Sequence, residues 1–148
     1  MSFQAIRTVI EQAVATSISD SGDLTKPVDK IVYDNMNYVD NDATSEFVAI
    51  RVHFGSTMES SLSGAYENIR GSFVVEHYHP KGVGPGRSQE VMSAMMLSLT
   101  ELNQKRSSKE GPEAIVRIRD MVGPSFSMLD DRPYFYSRIS GGFAATYH

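Results

Sequence analysis

The chain has 148 residues, 41% of them hydrophobic and 22% charged, with 11 glycines and a formal net charge of −4. That length suits one domain with its own core, and the composition is that of an ordinary folded chain, neither disordered nor membrane-bound. The absence of cysteine excludes disulfides, thiolate zinc sites and cysteine nucleophiles, and the acidic balance argues against sequence-independent grip on nucleic acid. It does not prevent a protein from surrounding DNA without holding it. No apolar run approaches the roughly 18 residues that cross a bilayer, and Met1-Ser2-Phe3-Gln4 lacks the basic flank and apolar block of a signal peptide. A cytoplasmic place of synthesis and use is expected.

In chain order, Phe3, Ile6, Ile10, Ala13, Val14 and Ser17 recur at helical spacing, with Ser2 as the candidate N-cap, so a helix is predicted over 3–17. A polar stretch with Gly22 and Pro27 follows, then a short strand around 31–34. The Asn- and Asp-rich segment 36–45 reads as a surface loop. From Phe47 to Phe54 the residues alternate, Val48, Ile50, Val52 and Phe54 pointing one way and Ala49, Arg51 and His53 the other, as in a half-buried strand. Residues 55–67 read as a long polar loop carrying Met58, Leu62 and Tyr66, a candidate contact arm.

Ile69 to His79 is the next predicted strand, stopped by the Pro- and Gly-rich run 80–86. Ser88 is the expected cap of a second helix, in which Met92, Met95, Met96, Leu99 and Leu102 recur in helical register and Lys105 and Arg106 lie at the C-terminal end. Two strands close the chain, 114–119 and 134–147, separated by Gly123-Pro124 and the acidic corner Asp130-Asp131-Arg132-Pro133. The order predicts an α/β (α+β) domain over 1–148: a mostly antiparallel sheet of about five strands with two helices on one face.

Each motif that suggests chemistry lacks a required part. The glycines at 82, 84 and 86 precede a helix, but Arg87-Ser88 follows where a Walker loop has Lys-Ser/Thr, and Pro85 removes an amide donor. A plain strand-to-helix connection is the better reading. His77 and His79 project from one side of a strand at a metal-compatible spacing, yet His53 and His148 have no common location with them, so exposed or interface histidines are expected and no metal or cofactor. Asp130 and Asp131 are adjacent and diverge, which suits a turn better than a pair of catalytic acids. No catalytic residue is assigned.

The methionines of the second helix read as core first. Aromatics crowd the last strand, where alternation puts Tyr134 and Tyr136 opposite Phe135 and leaves aromatic surface on both sides of the sheet. Met58, Leu62, Tyr66, Tyr134, Tyr136 and Tyr147 are therefore the candidate interface residues, carried by the 55–67 loop and the last strand.

The layout resembles the tail terminator-like proteins of long-tailed bacteriophages. The resemblance rests on Met1-Ser2-Phe3-Gln4-Ala5-Ile6-Arg7 before an amphipathic helix, Val32-Tyr33-Asp34-Asn35, the strands 47–52 and 70–76, the turn Pro80-Lys81-Gly82-Val83-Gly84, and Asp131-Arg132-Pro133-Tyr134-Phe135-Tyr136. The segment 36–45 and the residues after Phe143 depart from the pattern. The resemblance implies a non-enzymatic virion protein, assembled in the host cytoplasm into a homo-oligomeric ring, hexameric in the family's manner, at the head-proximal end of the tail tube. It implies contacts with the tail tube protein and with head-completion or neck proteins, and DNA passing through the lumen without sequence-specific binding. Another neck component, a head completion or tail completion subunit, is the nearest alternative. A small anion- or metal-binding module using the glycine turn and His77/His79 is the rival from a different class.

Overall fold

In a computed structural model the described residues are 3–19, 24, 26–28, 30–34, 46–59, 67–80, 86–104, 114–128 and 134–147. They form helix α1 (Phe3–Ser17), strands β1 (Ile31–Val32), β2 (Phe47–Glu59) and β3 (Glu67–Pro80), helix α2 (Gly86–Glu101) with a 3-10 turn at Leu102–Gln104, and strands β4 (Ala114–Met128) and β5 (Tyr134–Tyr147). The strands make one mixed sheet in the order β1-β2-β3-β5-β4, parallel only between β1 and β2. This is the expected α+β class with a mostly antiparallel sheet.

Alternation along the strands sorts the side chains. Val48, Ile50 and Val52 of β2 face Phe73 and Val75 of β3 in register, and Ile139, Phe143 and Ala145 continue the layer on β5. These join Ile6, Ile10 and Val14 of α1 and Val91, Met92, Met95 and Leu99 of α2 in a single buried cluster. The Met residues are core, as their register requires. Ser98 of α2 donates to the Ala13 carbonyl of α1 at 2.7 Å, tying the helices together beyond their apolar contact.

Three sequence expectations change. Residues 55–59 and Glu67 belong to strands, not to a loop, because β2 continues past a register shift between Phe54 and Ser56 and pairs with β3 up to Glu59↔Glu67. The extra residue Gly55 absorbs the break in alternation that made the segment look irregular. Likewise β4 runs through Gly123-Pro124, a cis bond, with register shifts between Arg119 and Val122 and between Val122 and Ser125, instead of ending at Arg119. Finally, Ser88 lies inside α2, which starts at Gly86, and its hydroxyl bonds His79. The loop 36–45, Lys105 and Arg106 lie outside the described residues.

At one position on each sheet edge, side chains imitate a neighbouring strand. Beyond the two-residue β1, the Val52 N–H donates to Asp34 Oδ2 at 2.9 Å, and Arg7 donates to the Val52 carbonyl at 3.1 Å while also pairing with Asp34. Asp34 is thereby held below the usual carboxylate range: burial works to raise it, but the Val52 amide and Arg7 prevail. On the opposite edge, the Asn103 side chain takes the Ile118 N–H at 2.7 Å and donates to the Ile118 carbonyl at 3.2 Å. Arg117 reaches from the same strand to the Leu102 carbonyl at 3.0 Å.

Candidate functional site

Two polar regions stand out, one inside the core and one on the opposite face of the sheet. In the first, residues 73, 75, 77 and 79 share one phase of β3, so His77 and His79 follow Phe73 and Val75 inward. Both histidines are buried, not exposed, and their rings lie 5.4 Å apart. His77 Nε2 is 3.0 Å from Glu46 Oε2. Glu46, just ahead of β2, also receives a two-pronged bond from Arg87 of α2, with Nε and Nη2 each at 2.8 Å. His79 contacts the Ser88 hydroxyl at 2.7 Å and the Pro80 carbonyl at 2.9 Å. The cluster thus joins the start of β2, the end of β3 and the first turn of α2.

Its electrostatics follow from burial. Burial opposes ionisation of Glu46, yet hydrogen bonds from Arg87 and His77, with Arg87's charge, hold its pKa at about 2. For His77 burial is the largest influence and lowers its pKa despite Glu46, so the ring is neutral at neutral pH and its Nε2–H is the donor to the carboxylate. That tautomer leaves Nδ1 as an acceptor. Nδ1 and the Oγ of Ser137, its cross-strand partner, are both buried and find no hydrogen-bond partner among the described residues.

Serine, histidine and glutamate in that sequence resemble the order of a nucleophile, base and orienting acid. The geometry does not assemble one: Ser137 Oγ is not bonded to the histidine, and both residues are 0% exposed. The arrangement is a polar clamp within the core. Arg87, the residue after the glycine run, is committed to Glu46 instead of facing an anion. Among the described residues no group of three potential metal-ligating side chains gathers, and His53 lies exposed on the other face.

That other face carries the second region. Phe47, Tyr78 and Tyr136 form an aromatic row across β2, β3 and β5, with ring centroids 4.6 and 5.1 Å apart. Glu76, 6% exposed, accepts the Tyr78 hydroxyl, and Arg51 lies 3.8 Å from its other oxygen. Burial and the neighbouring Glu76 raise the pKa of both tyrosines, so both stay protonated, and Tyr78 donates to Glu76. On the core side, Phe135 packs on His79 at 5.2 Å and on Phe126 at 6.3 Å, and Phe126 is 39% exposed. Aromatic surface therefore lies on both sides of the sheet.

Of the six candidate interface residues, Tyr136 is placed in the aromatic row. Tyr134 and Tyr147 are backbone positions at the two ends of β5, and Met58 pairs through its backbone with Asn68. The side chains of these three, and all of Leu62 and Tyr66, lie outside the described residues. The last strand is not an edge: β5 is flanked by β3 and β4 along its length. Any contact it makes must use its faces. Sequence reasoning did not link Glu46 to Arg87 and His77. The available signal was the phase of His77 and His79, in step with Phe73 and Val75.

No family model matches the chain, and no curated protein matches it. A solved structure that carries only a serial designation for a name superimposes with a TM-score of 0.67 at 21% identity, covering 100% of this chain and 98% of its own. At that identity the likeness shows a shared fold. No helix among the described residues is long and apolar enough to cross a membrane.

Proposed function

We propose that this chain is a structural ring subunit of a long-tailed bacteriophage, a tail terminator that stops tube polymerisation and joins tail to neck. The resemblance in the sequence is what points to this family, and one structural observation supports the reading: the sheet face opposite the buried cluster carries the row Phe47, Tyr78 and Tyr136 and the exposed Arg51, Arg70, Arg119 and Arg138. An open antiparallel face is ordinarily solvated, but an aromatic row beside exposed arginines is the composition that subunit contacts use. A closed ring also needs two different complementary patches on each subunit. The polar groups that could suggest catalysis are instead spent inside the core, between Glu46, His77 and Arg87.

The test is assembly. The purified protein, alone and mixed with tail tubes, is examined by light scattering and negative-stain imaging. Rings, or ring-capped tubes of fixed length, support the proposal. A protein that stays monomeric under both conditions and leaves tube growth unchanged defeats it.

A further inference from the structure

The inner end of β3 is held by one carboxylate shared between two donors. Glu46 Oε2 takes His77 Nε2 at 3.0 Å and Arg87 Nε at 2.8 Å, and Oε1 takes Arg87 Nη2 at 2.8 Å. With His77 neutral, one negative charge meets one positive. The other side of the ring is unfinished: Nδ1 and Ser137 Oγ find no hydrogen-bond partner among the described residues, and both residues are 0% exposed. A proton arriving at Nδ1 therefore meets a hydroxyl, and no second carboxylate among the described residues. The charged and titratable groups around the ring are Glu46 ahead of β2, His79 on its own strand, and Arg87 on α2 with Glu90 3.6 Å behind it, while β5 contributes Ser137. His79 is already committed. The Pro80 carbonyl at 2.9 Å only accepts, which puts the ring proton on Nδ1 and leaves Nε2 for the Ser88 hydroxyl at 2.7 Å.

We propose that His77 is a proton-operated latch, whose protonation frees the first turn of α2 from the end of β3 while the sheet stays folded. The latch stands independently of the ring reading. Protonated His77 and Arg87 would be two cations on one largely buried carboxylate, beside a helix N-terminus whose amides also disfavour positive charge. His77 cannot yield, because β3 is paired with β2 on one side and β5 on the other. Arg87 can: it lies in the first turn of a helix, is 16% exposed, and has Glu90, 31% exposed, as a second partner nearer water. The contact that breaks is thus Arg87 to Glu46, and the Ser88 hydroxyl leaves His79 with it. Opening uncovers an aromatic shelf, His79 on Phe135 at 5.2 Å and Phe135 on Phe126 at 6.3 Å, whose outer member Phe126 is already 39% exposed.

The sign of the response follows from linkage. In the closed form burial holds His77 below its ordinary 6.5, and in the open form water reaches it, so the open form takes up the proton first. Opening then rises by at most about tenfold per pH unit as pH falls below that value. Glu46, held at about 2, stays ionised until much lower pH.

The experiment is hydrogen exchange read by mass spectrometry, corrected for the intrinsic pH dependence, from about pH 7.5 to about pH 4.5. It follows the amides of residues 90–93, which bond the carbonyls of the first turn of α2, and those of β3 and β5. In wild type the helix amides should lose about tenfold or more of their protection while the strands keep theirs, and binding of an apolar dye should rise with the same midpoint. His77→Gln, which offers Glu46 a donor but takes up no proton, should show neither change. NMR titration of the wild-type His77 ring gives the midpoint directly, and serves in place of His77→Gln if that variant does not fold. A first turn that keeps its protection while His77 titrates overturns the latch. So does a loss of protection that persists in His77→Gln, or one that helix and strands undergo together.

Discussion

Replacing Glu46 by Gln tests the clamp between sheet and helix. The carboxylate accepts two bonds from Arg87 at 2.8 Å and one from His77 at 3.0 Å. Glutamine keeps the volume but has one acceptor oxygen: at the Oε2 position it still takes Arg87 Nε and His77 Nε2, but at the Oε1 position its amide nitrogen meets the Arg87 Nη2 donor, and the carboxylate charge that strengthens all three bonds is gone. Each charge-assisted bond is worth about 1.5–3 kcal/mol, and a stranded buried donor costs about 1–3 kcal/mol. Glu46 and Arg87 are 21% and 16% exposed, so water relieves part of this loss. Release from burying the charge offsets more. A net loss of about 2–3 kcal/mol follows, or roughly 5–10 °C in Tm for a domain of this size. The sign with pH is fixed: Glu46 binds its proton less readily folded than unfolded, so its contribution is full above the ordinary value of 4.5 and is lost as pH falls toward about 2. Urea unfolding of both proteins at pH 7 and pH 3 should show the difference shrinking in acid. A Gln variant within about 0.5 kcal/mol of wild type at pH 7, the scatter of an ordinary surface change, or a difference that does not depend on pH, refutes the reasoning.

His77 adds a second acid-sensitive step. Its folded pKa lies below the ordinary 6.5, so the unfolded chain takes up its proton first, and stability should begin to fall as pH drops below about 6.5, read from Tm against pH; His77→Gln should remove that upper step. Gly71→Val should cost about 3 kcal/mol or more, because a Cβ there would sit 2.1 Å from the His53 carbonyl oxygen and 2.6 Å from the Phe143 ring, whereas Gly55→Ala, with its nearest atom at 3.5 Å, should stay near wild type in the same denaturation assay. Asn103→Ala should cost about 1 kcal/mol by removing the two bonds to Ile118, and should raise concentration-dependent aggregation measured by light scattering.

How much the sequence disclosed depended on whether a feature was local. Helix α1 is legible residue by residue because its apolar positions keep one period from Phe3 to Ser17, and α2 because Met92, Met95 and Leu99 do the same. The strands were legible only as far as alternation held. Gly55 shifts the phase of β2 by one, and Asp120, at φ 52°, with Gly123 interrupts β4, so both looked shorter than they are. The clamp was not legible, since Glu46, His77 and Arg87 are separated by 31 and 10 residues and meet only after β2 pairs with β3 and α2 packs on them. Exposure misled as well: two histidines two apart were read as surface groups, although their phase with Phe73 and Val75 argued for burial.

The capped position on each sheet edge bears on what kind of bond an assembly of this protein would use there. Main-chain pairing between molecules is strong, indifferent to sequence and hard to undo, the chemistry of fibres. Here Asp34, Arg7 and Asn103 take up the groups that such pairing requires at Val52 and Ile118. At those two positions association is left to side-chain chemistry, where each contact can be tuned one residue at a time and an incorrectly joined neighbour can fall away before the next arrives.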